Sequence, residues 1–67
     1  MSRKSIGYRI RQCRIQRRLT EKGLAECAGV PEEVIFQLEG GLYKGMTGRL
    51  LFLLARAMRV RLGQFLD

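Results

Sequence analysis

The sequence predicts a compact all-α domain organised around a helix-turn-helix, and three observations lead there. Leu24, Ala25 and Ala28 share one helical face, and Ile35 and Leu38 share another one helix later. Gly29 lies between the two patterns, where a chain that reverses sharply needs a positive φ that glycine reaches cheaply. The composition, with 46% hydrophobic residues and a single proline, fits a packed helical fold rather than a disordered chain. Sixty-seven residues allow one domain with a small core, of the size that dimerisation often supports.

Taken in order, residues 1–5 read as a flexible basic arm carrying Arg3 and Lys4, and residues 6–67 as the domain. The first helix is expected from about Ser5, its N-cap, to Arg18. Ile6, Ile10 and Cys13 form its buried face, and Tyr8 and Ile15 lie on another. Arg17 and Arg18 close it, where positive charge suits the helix dipole. Thr20 caps a second helix, Glu21 to Ala28, in which Ala25 is small enough for a crossing helix to approach. Pro31 opens a third helix that runs to Glu39 and stops at Gly40-Gly41. Residues 42–47 form a loop, and Thr47 or Gly48 starts a fourth helix ending near Met58. Leu51, Leu54, Ala55 and Met58 make its core stripe, and Leu50, Leu53 and Ala57 a second one. That is more apolar surface than one face of a small domain buries, so the late elements are expected to close the core and build a homodimer, with Leu50, Leu53, Ala57 and Phe65 at its interface; the alternative is that one small core needs both stripes. A short last helix is expected over about Leu62 to Leu66.

Residues 6–66 resemble the Cro/phage-repressor (XRE-type) family of helix-turn-helix DNA-binding domains. The resemblance is carried by Ile6-Gly7, Leu19-Thr20, Leu24-Ala25, Gly29-Val30, Ile35, Leu38-Glu39 and Gly41, with Ala55, Ala57-Met58 and Val60 later. It implies a five-helix, lambda-repressor-like domain that binds double-stranded DNA, usually as a dimer. It also implies that Arg14 pairs with Glu39 as a structural ion pair, and that the third helix enters the major groove. On that helix the outward residues are Glu32, Glu33, Phe36 and Gln37. Glutamine can pair with adenine, a carboxylate can accept from cytosine N4, and an aromatic ring can touch a thymine methyl. The resemblance lays residues 42–47 along the sugar-phosphate backbone, so phosphate contacts are expected from Tyr43 and Lys44, and by their charge also from Arg17, Arg18, Lys22 and Arg49. The chain departs from the family at Glu21, where glutamine is usual and a carboxylate repels phosphate.

The net charge of +7 is unevenly spread. Residues 1–18 hold seven basic side chains and no acid, whereas residues 19–41 hold Lys22 against five glutamates. A basic frame fits a polyanionic partner, and an acidic motif inside it fits a protein. Two function classes therefore stay open. One is a sequence-specific DNA-binding regulator on an inverted-repeat operator, with RNA polymerase or another regulator as a further partner. The other is a helix-turn-helix kept as a protein-interaction module. No enzyme is expected: histidine is absent and the carboxylates form no nucleophile arrangement. Cys13 and Cys27 lack metal-site spacing, no GxxxxGK[ST] segment exists, and no cofactor or metal is expected. The longest apolar run, Leu50 to Ala55, is too short to span a bilayer, and a cytoplasmic protein is expected.

Overall fold

The computed structural model describes residues 5–65, so Arg3 and Lys4 of the expected arm, and Leu66 of the expected last helix, lie outside the described residues. Among the described residues there are four α-helices and no strand: α1 (Ile6–Gln16), α2 (Glu21–Ala28), α3 (Glu32–Glu39) and α4 (Gly48–Met58). The expected fifth helix is a single 3-10 turn, Leu62–Gln64. None of the described helices is long and apolar enough to cross a membrane.

Hydroxyl caps set three of the four starts. Ser5 Oγ accepts from Tyr8 N at 3.1 Å, Thr20 Oγ1 from Gly23 N at 2.9 Å, and Thr47 Oγ1 from Leu50 N at 3.1 Å. Each bond satisfies an amide that has no partner inside its own helix. Pro31 precedes α3 as its extended N-cap (ψ 145) rather than lying within it, and makes no side-chain cap. Two glycines end helices in the left-handed region. Gly29 (φ 75) closes α2, with Val30 N donating to Ala25 O at 3.0 Å. Gly41 (φ 76) follows α3, with Leu42 N donating to Gln37 O at 2.8 Å. α1 stops at Gln16, two residues before its expected end, because Arg18 turns left-handed at φ 58. Arg59 ends α4 in the same way.

α2 and α3 cross after three linking residues, and α2 also packs on α4, so these helices enclose most of the core. Ile10 of α1, Leu24 of α2, Ile35 of α3, and Leu54 and Met58 of α4 are wholly or almost wholly buried. Ala25 and Ala28 supply the close approach between helices. Phe65, expected to face a second copy, is 1% exposed and fills the chain's own core beside α4. Leu50 is buried as well. Both serve this small core, and that removes them from the expected dimer surface. Burial also pushes the Cys13 thiol up, with Arg17 pulling weakly the other way.

α1 lies against the end of α3 more tightly than any side chain would permit. A Cβ at Gly7 would stand 2.0 Å from the Leu38 carbonyl oxygen. Seven residues along α1, Arg14 spans the same junction. Its Nε donates to Glu39 Oε2 at 2.6 Å and its Nη2 to Glu39 Oε1 at 2.9 Å, while Nη1 reaches Leu19 O at 2.8 Å. One guanidinium thereby joins α1, the entry to α2 and the end of α3.

Candidate nucleic-acid interface

The α2–turn–α3 unit leaves one face of α3 in solvent. Glu32, Glu33 and Phe36 are exposed, Phe36 at 57%, and Gln37 is half-buried. Glu39, at the end of the helix, is withdrawn into the pair with Arg14 and adds no free charge to this face. Gln37 Nε2 donates to Glu33 Oε2 at 3.3 Å, one helical turn earlier. The Gln37 backbone carbonyl accepts from both Leu42 N (2.8 Å) and Tyr43 N (3.2 Å). The loop after α3 is thus anchored at the residue that also presents an amide outward.

That loop carries Tyr43, half-buried, then Lys44, exposed, and leads into the first turn of α4 with Arg49 exposed. Tyr43 folds back over Gly45, where a Cβ would meet its Oη at 2.8 Å and its Cζ at 2.9 Å. The obstacle is the far end of a side chain, which can swing away. Gly45→Ala is therefore expected to change stability by less than about 1 kcal/mol, the loss of that packing being offset by a stiffer unfolded chain. Thermal denaturation followed by circular dichroism reads this directly. A large loss would show that the loop backbone itself cannot yield.

The expected phosphate-binding residues do not form one cluster. Tyr43, Lys44 and Arg49 are continuous with the Gln37 anchor, and Lys22 is exposed on α2. Arg17 is elsewhere: its Nη2 donates to the Arg59 carbonyl at 3.3 Å, at the C-terminal end of α4. Arg49 lies in the first turn of that helix, whose eleven residues separate its ends by about 16 Å. Arg17 acts as a cap for α4's last turn, and Arg18, its neighbour, is exposed beside it. On α4, Leu53 and Ala57 stay half-buried, and Phe52 is 54% exposed. Phe52 was not singled out from sequence, although it stands one turn after Arg49. Tyr8 and Ile15 of α1 are exposed too.

This geometry defines a helix-turn-helix fold. Among solved structures, the chain matches one from a complex of a SinR protein with a SinI protein, at a TM-score of 0.85 and 29% identity. The match covers 92% of this chain and 60% of that one, so this chain spans about three fifths of the other's length. No family model and no curated protein matches the sequence.

Proposed function

We propose that the protein is a DNA-binding transcriptional regulator of the Cro/phage-repressor class. In this reading α3 enters the major groove, and a dimer sets two copies of α3 about 34 Å apart on an inverted-repeat operator. The observation that supports it best is the anchoring of the loop to Gln37. It ties Leu42 and Tyr43 to the end of α3, so that the loop carrying Lys44 and leading to Arg49 starts from the groove helix, as a helix in the groove with a loop along the backbone requires. Base contacts come from Glu32, Glu33, Phe36 and Gln37, and phosphate contacts from Lys22, Tyr43, Lys44 and Arg49. Arg17 and Arg18 contribute to the general positive field. The dimer surface is drawn from Leu53 and Ala57, with Phe52 added.

A second reading, a protein-interaction module, draws on the charge of α3. Its outward face has two exposed glutamates, an exposed phenylalanine and no cation. The solved relative also comes from a complex between two proteins.

Glu32→Gln and Glu33→Gln separate the readings. If α3 meets DNA, each change removes a like charge from the groove and tightens nonspecific duplex binding roughly three- to tenfold at moderate salt. If α3 grips a protein, duplex binding stays where it was. Fluorescence anisotropy with a labelled random duplex makes the comparison.

A further inference from the structure

The hydrogen bond between Glu33 and Gln37 joins two side chains that the DNA reading treats as independent contacts. We propose that Glu33 is a positioning residue for Gln37, orienting its amide so that α3 selects adenine over guanine at one base pair of each half-site. The proposal rests on the reading of α3 as the groove helix.

An unrestrained glutamine presents its oxygen and nitrogen in either order, since a half-turn about its last torsion exchanges them. A carboxylate accepts and cannot donate. With Glu33 Oε2 3.3 Å from Gln37 Nε2, the exchanged orientation would set the amide oxygen against a negative oxygen. The nitrogen is therefore the end held at Glu33. It keeps a second N–H, and with Oε1 this makes an adjacent donor and acceptor. The major-groove edge of adenine offers the complement, an acceptor at N7 and a donor at N6. Guanine offers N7 and O6, both acceptors, and would set O6 against Oε1. Neither Glu32, Glu33 nor Phe36 can donate to guanine in its place, and α3 has no lysine or arginine.

The backbone beneath this pair is already fixed. The Gln37 carbonyl is held by two loop amides, so the freedom left to Gln37 is that of its side-chain torsions, which Glu33 restrains.

The test uses the whole chain and a duplex that the wild type selects from a random pool. The base pair read by Gln37 is located as the one whose substitution no longer matters in Gln37→Ala. At that position the wild type is expected to prefer adenine over guanine by roughly tenfold or more. Glu33→Ala should cut the preference to about threefold or less, the glutamine being free to turn. Glu33→Gln can both donate and accept one turn before Gln37, so it fixes neither orientation and should lower the preference as Glu33→Ala does. A helix that merely lost stability would weaken binding to both duplexes and leave their ratio alone. The proposal is overturned if Glu33→Ala leaves the ratio unchanged while Gln37→Ala abolishes it, or if the wild type selects guanine there. A wild type that selects no sequence at all overturns the DNA reading, and this proposal with it.

Discussion

Replacing Gly7 with alanine is expected to lower the melting temperature by roughly 10–20 °C, corresponding to a loss of about 2–3 kcal/mol. The added carbon would stand 2.0 Å from the Leu38 carbonyl oxygen and 3.1 Å from its carbonyl carbon. Both atoms are backbone, in the last turn of α3, so no rotamer change relieves the overlap. The Leu38 oxygen also accepts from Gly41 N at 3.1 Å, the bond that ends the helix. α1 must move away from α3, or the end of α3 must unwind. Either shift disturbs Glu39, the next residue, and its pair with Arg14. An intact melting temperature would mean that α1 and α3 can part at this junction without loss. Gly45→Ala is the control, since the same substitution there meets only the end of a tyrosine.

Removing one partner of the Arg14–Glu39 pair is expected to cost about 3–5 kcal/mol. Their side chains are 12% and 5% exposed, so Arg14→Ala strands a carboxylate with little water to solvate it. It also frees the Leu19 carbonyl, which the same guanidinium holds. A domain of this size has only a few kcal/mol in hand, on the order of 0.05–0.15 kcal/mol per residue, so either single variant should be largely unfolded at 37 °C. Replacing both residues by apolar ones, as in Arg14→Met with Glu39→Leu, should cost less than the two single changes added together. Urea denaturation of the four proteins gives the comparison, and additive losses would show that the two charges act independently.

The same pair has a defined pH signature. The hydrogen bond to Glu39 holds the Arg14 guanidinium above its ordinary value, against a smaller opposing effect of burial. A base with a raised folded value stabilises fully at every pH below its unfolded value. It loses that contribution only as pH climbs through the folded value. For arginine that range lies far above neutrality, so Arg14 does not weaken the fold under mildly alkaline conditions.

The helices themselves were legible because local and tertiary signals agree in them. Thr20 and Thr47 carry cap hydroxyls ahead of apolar stripes, and Gly29 marks the left-handed residue between α2 and α3. The end of α4 at Met58 was legible, but the end of α1 was set two residues late, since Arg18 adopts a conformation (φ 58) that arginine does not advertise. Phe65 was placed at a surface because one 3-10 turn is too short to show a periodic face, and its burial depends on where α4 ends. Gly7 entered only as one of the residues that carry the family resemblance, and its packing role exists only once the last turn of α3 arrives beside it. Of the candidate site, the outward residues of α3 follow from helical spacing alone. Arg17 was grouped with the phosphate-binding residues on charge, which carries no information about which end of α4 it reaches.

The central claim is that α3 reads duplex DNA, and selection of bound duplexes from a random pool tests it most directly, with the affinity of the winners then followed against salt. Recovery of an inverted repeat with half-site centres about one helical turn apart, bound less tightly as salt rises, is the expected result. Weak binding with no sequence preference would contradict it and leave the acidic, Phe36-bearing face of α3 as a surface for a protein.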